Sequence, residues 1–196
     1  MQGSDLETQV RAELESIMPL ISALTGLPTR WSGRVELVDT TEFNGKKRFT
    51  CDIQLNAALA EEDARWTTLI HECLHAVSAG YSLLDYQDLP GWEEGVVEQT
   101  QRLLRGSVLA KIGISIPDAL LAGLDADHRY NSYIHALEMV RLPLVVPEMQ
   151  FYQHLLATPL AERPPKMLMQ ANRLPPEQRV RALYRISAAN AALKQH

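Results

Sequence analysis

Cysteine is scarce in this chain of 196 residues. Cys51 and Cys73 are too few for a disulfide framework, and no CxxC pair offers a metal knuckle. Long apolar runs are also missing, none approaching the roughly 20 residues that cross a bilayer. The segment Met1-Gln2-Gly3-Ser4-Asp5-Leu6-Glu7 has neither the basic nor the apolar region of a signal peptide, so a cytoplasmic location is expected. There is no basic excess: 19 Lys and Arg face 24 Asp and Glu, a formal charge of -5. Such a chain has no global field to draw nucleic acid or an anionic membrane, although local basic clusters stay open. Internal repeats, low-complexity tracts and a phosphate-cradling glycine loop are absent, and basic residues with aromatics are too scattered for a nucleic-acid platform. What remains, 46% hydrophobic and 22% charged residues, fits a soluble globular protein of one domain, long enough to bury a core.

The stretch His71-Glu72-Cys73-Leu74-His75 is an HExxH motif. On a helix, side chains four apart share a face, so His71 and His75 can ligate one metal ion while Glu72 reaches a water beside it. Trp66, Leu69, Ile70, Cys73, Leu74 and Val77 cluster on one side of that helix, with the two histidines nearly opposite, so the imidazoles stand apart from the apolar stripe. Either histidine alone would read as a surface residue. Cys73 points away from the pair and reads as buried packing.

Around the motif, apolar residues at Leu6, Val10, Leu14, Ile17, Met18 and Ile21 predict an amphipathic helix over residues 5–24, ended by Gly26 and Pro28. Alternation over 33–41 (Val35, Leu37) and 47–56 (Phe49, Cys51, Ile53, Leu55) predicts two half-buried strands joined through Asn44-Gly45 as a hairpin, whose edge could take up an extended peptide. The motif helix is expected from about 61 to 79, with Glu61, Glu62 and Asp63 favouring its positive end. Gly80 stops it, and 81–90 reads as a loop. A helix then opens at Trp92-Glu93-Glu94-Gly95-Val96-Val97-Glu98 and runs to about Ile112. Further helices are expected over 126–142, 147–156 and from Pro175-Pro176 to about 193, with a proline break at Pro159, Pro164 and Pro165.

A zinc site with two histidines needs a third protein ligand and an open position. Glu94 and Glu98 lie four apart on one face. They read either as a solvated acidic face paired to Arg102 and Arg105 or as a source of that ligand, with Glu93 as a competitor pointing elsewhere. HExxH, eighteen residues and then the Glu of a Trp-x-x-Glu-Gly segment resembles the gluzincin metallopeptidases, and in particular the M1 aminopeptidase branch. The likeness covers about 35 residues, from the approach to His71 through Glu98. It implies His71, His75 and Glu94 as ligands of one Zn2+ and Glu72 as general base and proton shuttle. It also implies Glu98 as an acidic position that supports the ligands from one turn on. No Gly-x-Met-Glu-Asn string precedes the motif, so aminopeptidase specificity is not implied, and the size resembles minimal gluzincin catalytic domains.

On the helix expected from 126, Tyr130, Tyr133, Ile134, Leu137 and Val140 share a face, with His128 and His135 on the other. Tyr130 is the candidate hydrogen-bond donor to a tetrahedral intermediate, or else a core tyrosine with a satisfied hydroxyl. Arg129 and Arg141 read as surface charges. The expectation is one α+β, zincin-like domain over 1–196, mostly helical with a small antiparallel sheet next to the active-site helix. Its parts are an amino-terminal helix and sheet (about 1–60), the active-site helices (about 61–112) and a helical remainder (about 113–196). The expected function is a zinc peptidase acting on peptide or protein substrates by metal-activated water. Rival readings are a zinc-binding but inactive or latent module, and a di-iron carboxylate protein using Glu72-x-x-His75 with Asp125-x-x-His128 as a second copy.

Overall fold

The computed structural model describes residues 2–194, leaving Met1, Gln195 and His196 outside the described residues. The fold is α+β, mostly helical with a three-stranded sheet. The chain divides into two compact units, one from Met1–Val77 and Gln101–Ala126, the other from Ser78–Thr100 and Asp127–His196. Among the described residues no helix is long and apolar enough to cross a membrane.

In the first unit, helix α1 (Gln2–Thr25) follows its apolar spacing, with Val10, Leu14, Ile17, Met18 and Ile21 buried. Gly26, at φ +72°, ends it. That stripe packs on α2 (Arg65–Val77), which carries the HExxH motif. The Arg65 guanidinium grips the Glu13 carboxylate of α1 through Nε and Nη2 at 2.9–3.2 Å. α2 starts later than expected. Glu61–Asp63 stay in turns that follow a 3-10 turn at Ala57–Leu59, where the Asn56 side chain accepts from the Ala58 N–H. They therefore lie before the first turn of the helix rather than in it.

The sheet departs from the expected hairpin and is mixed. β1 (Val35–Val38) runs parallel to β3 (Ile53–Asn56), while β2 (Gly45–Lys47) runs antiparallel to β3 on its other side. Asn44-Gly45 opens a strand instead of turning the chain. Gly45 is required by close approach: a Cβ there would sit 2.5 Å from Thr68 Cγ2 and 2.9 Å from Glu72 Oε1. The β2–β3 turn falls at residues 48–52, where Cys51 takes φ +63°. There Asp52 accepts hydrogen bonds from the hydroxyls of Ser32 at 2.5 Å and Thr50 at 2.8 Å. The turn lifts Phe49 into solvent, which ends the alternation expected through it. Within this unit Asp125, near the end of α5 (Asp118–Ala126), receives Arg105 at 2.5–2.7 Å and Arg102 at 3.5 Å.

The second unit holds α3 (Leu83–Asp88), the first half of α4 (Pro90–Ile112), α6 (Asn131–Leu144), α7 (Glu148–Leu156), α8 (Arg163–Asn172) and α9 (Pro176–Ala192). α3 replaces the expected loop. Ser82 and Asp85 form a reciprocal capping box, Asp85 N–H to Ser82 Oγ at 3.1 Å and Ser82 N–H to Asp85 Oδ2 at 2.9 Å. That box satisfies two helix-end donors and so sustains a helix too short to show periodicity. α8 replaces the expected proline break, because Pro164 and Pro165 stand in the first turn, where a missing N–H costs nothing. The helix expected over 126–142 starts five residues late, as α6 from Asn131, and α5, which ends at Ala126, is an additional helix. Leu137 and Val140 of α6, Phe151, Leu155 and Leu156 of α7, Met167 of α8 and Ile186 of α9 form the core. Gly95 of α4 lets α6 approach, since a Cβ there would lie 2.8 Å from Leu137 Cδ1 and 2.9 Å from Tyr133 Cβ.

Candidate metal centre

Helical spacing brings His71 and His75 together as expected from α2. Their Nε2 atoms are 3.1 Å apart and their rings meet edge to face at 4.8 Å. The face they occupy is not solvated: His75 is 5% exposed and Glu72 4%, with His71 half-buried. Glu72 is overlain by β2 at Gly45, so the strand backbone sets where the carboxylate can lie. Cys73 is buried on the opposite side, its thiol pushed well above the ordinary value by burial and then by the charge of Glu72.

On α4, the two neighbouring glutamates go to different places. Glu93 is fully buried against Arg163 at 2.8 Å. The same guanidinium donates to the Trp92 carbonyl at 2.6 Å, the Thr158 carbonyl at 3.1 Å and Ser78 Oγ at 2.9 Å. Glu94 is also buried, but its carboxylate accepts hydrogen bonds from the hydroxyls of Tyr86 and Tyr130. Burial, followed by the charge of Glu94, raises the pKa of both phenols above the ordinary tyrosine value, so each keeps its proton through the neutral range. Glu98 is buried one turn on, 3.9 Å from His128 Nε2. The face that carries Glu94 and Glu98 is therefore buried and not solvated, and Arg102 and Arg105 both reach Asp125.

The ligand atoms of His71, His75 and Glu94 all lie within 4.8 Å of one another, and this group can hold a metal ion. Two imidazole nitrogens and a carboxylate oxygen are donors that a divalent transition-metal ion accepts. The 3.1 Å between the nitrogens is close to the roughly 3.3 Å that tetrahedral bonds of about 2.0–2.1 Å impose.

Tyr130 lies beside Glu94 but not at the start of a helical face. It immediately precedes α6 with non-helical backbone, since residues 127–130 turn between α5 and α6. His128 lies with it rather than opposite, the rings edge to face at 5.2 Å, and His135 is exposed. Tyr130 stacks on Tyr133 at 5.8 Å, and Tyr86 on Tyr81 at 5.4 Å. Tyr86 was not foreseen from the sequence. The capping-box pattern Ser82-x-x-Asp85 was the signal that would have made a helix of this stretch and brought Tyr86 into view. The Arg163 clamp carries no local signal, because Trp92 and Ser78, which it joins, lie 71 and 85 residues away.

No family model, no curated protein and no solved structure matches this chain significantly.

Proposed function

We propose that this chain is a zincin-like, gluzincin-type zinc peptidase that hydrolyses peptide bonds, with one Zn2+ held by His71, His75 and Glu94. The observation that carries this reading is the grouping of those three ligand atoms within 4.8 Å, on a helix that also presents a buried Glu72. When bound, zinc would polarise the scissile carbonyl and lower the pKa of water to about 7. Glu72 takes the proton from the attacking water and returns it to the leaving amine nitrogen. Tyr86 keeps the Glu94 carboxylate oriented, in the way hydrogen-bonded partners fix metal ligands. Tyr130, which retains its proton, turns its O–H from Glu94 to the oxygen on which charge develops. Glu98 supports the same helix face one turn on. A cytoplasmic setting belongs to this reading, since both thiols are unbridged.

Engagement of Asp125 by Arg102 and Arg105 weighs against a di-iron site using that carboxylate. The test is elemental analysis with an assay on denatured protein substrates. One zinc per chain is expected, with hydrolysis abolished by chelator and restored by zinc. Glu72→Gln keeps the zinc and lowers kcat by roughly 1,000-fold, within the range for a lost general base. A Glu72→Gln protein with full activity, or a zinc-loaded wild type without any, overturns the reading.

A further inference from the structure

Most arginines that interact closely in this molecule meet a carboxylate. Arg65 meets Glu13, Arg102 and Arg105 meet Asp125, Arg141 meets Glu138, and Arg163 meets Glu93. Arg129 is different. Its guanidinium lies over the ring of Tyr130, 4.6 Å from the centroid, and donates through Nη2 to the Tyr130 hydroxyl at 2.5 Å. Among the described residues no carboxylate forms an ion pair with it. The residue is exposed, yet the stacking fixes the plane of the fork. Its remaining N–H donors are left for a ligand, at less entropic cost than a free arginine would require.

The position of that fork gives it meaning. Tyr130 hydrogen-bonds to Glu94, so the guanidinium stands two hydrogen bonds, roughly 5 Å, from the proposed metal ligand. A planar fork matches a carboxylate in two-pronged geometry. One residue of extended chain spans about 3.5 Å, so a carboxylate held by Arg129 lies about one residue from a group beside Glu94. The stacked pairs Tyr81–Tyr86 and Tyr130–Tyr133 supply apolar ring surface next to Glu94.

We infer that Arg129 is a specificity residue that binds the terminal carboxylate of the substrate, and that the favoured substrates are peptides with a free carboxyl terminus and an apolar or aromatic last residue. The inference rests on the peptidase reading above. In the reaction, the C–N bond before the last residue breaks and water supplies OH to the new carboxyl end. Its remaining proton passes through Glu72 to the amine of the released amino acid, so one peptide and one water give a shorter peptide and one amino acid.

The test compares an N-acetylated tetrapeptide ending in phenylalanine, as the free acid and as the carboxy-terminal amide, on zinc-loaded protein. The wild type is expected to prefer the acid by roughly 100-fold in kcat/KM, the scale of a two-pronged charge-assisted pair. Arg129→Gln should bring that ratio to within about threefold and Arg129→Lys to an intermediate value, since a point charge replaces only part of the fork. Zinc content of each variant is measured alongside.

The same peptides are titrated calorimetrically into metal-free Glu72→Gln protein, with and without Arg129→Gln, where the acid should bind more tightly only when Arg129 is present. Equal cleavage and equal binding of acid and amide by the wild type would overturn the clamp and leave the peptidase reading intact. So would an Arg129→Gln loss of the same size on both substrates, which would mark a merely structural role. Cleavage of neither peptide, with Arg129-dependent binding of the acid retained, would count against the peptidase reading and leave the clamp standing.

Discussion

Glu93 and Glu94 are consecutive residues of one helix turn, both buried, and their surroundings differ in kind. Glu93 meets a guanidinium that also bonds two backbone carbonyls and a serine hydroxyl. There charge meets charge at 2.8 Å, and such a buried pair fixes structure. Glu94 meets two phenol hydroxyls whose protons stay in place. Neutral donors orient a carboxylate without cancelling its charge, which leaves it able to bind a cation. Burial alone therefore does not distinguish a structural acid from a ligand; the kind of donor around it does.

Removing the cation of the first pocket should have the largest effect. Arg163→Ala leaves Glu93 buried without its guanidinium and is expected to cost about 3–5 kcal/mol of unfolding free energy in urea. Glu93→Leu with Arg163→Met should recover most of that; a loss under about 1 kcal/mol for Arg163→Ala would erase the contrast. Next comes Glu94→Ala, expected to weaken zinc binding by more than roughly 100-fold, since even groups behind the ligands are worth 10–100-fold. Competition with a chromogenic chelator measures it, and the metal-free variant should unfold later in urea than Arg163→Ala.

Tyr86→Phe sharpens the comparison further, with zinc affinity falling about 10-fold and the metal-free thermal midpoint nearly unchanged. If Tyr86→Phe destabilises the fold without changing zinc affinity, the phenol is only packing.

Acid gives the smallest effect. The Asp85 carboxyl, in the cap of the helix that carries Tyr86, is held below the usual range by the Ser82 backbone N–H and then by the Ser82 hydroxyl. A depressed folded pKa contributes stability that is present above the unfolded value near 4 and lost as pH falls through the lower folded value. The thermal midpoint of Asp85→Asn should therefore trail the wild type at pH 6 and approach it at pH 3. A gap of the same size at both pH values would show that ionisation of Asp85 is not what stabilises the cap.

The long elements were legible in the sequence because each carries several turns of periodic burial, as Val10, Leu14, Ile17 and Ile21 do in α1. The motif helix and α4 were placed for the same reason, and with them the spacing between His71, His75 and Glu94. Short elements were not legible. α3 rests on one capping box and α8 on prolines that suit a first turn, neither of which shows as a repeat. The sheet order is not legible, because a glycine after an asparagine marks both a turn and a close approach, and only the packed Thr68 and Glu72 decide which applies at Gly45. Tyr130 reaches Glu94 from the turn just before α6 and not from a helical face, which periodicity does not reveal.

Gly45 also selects the alignment of its strand. A slip of β2 by one residue along β3 would bring Asn44 or Lys46 against Thr68 and Glu72, where 2.5 Å leaves no room for any Cβ, and would turn every side chain of the strand to the other face. The smallest residue of the sheet thus works as a key that admits one register, and the pairing of β2 and the seat of the Glu72 carboxylate are chosen together.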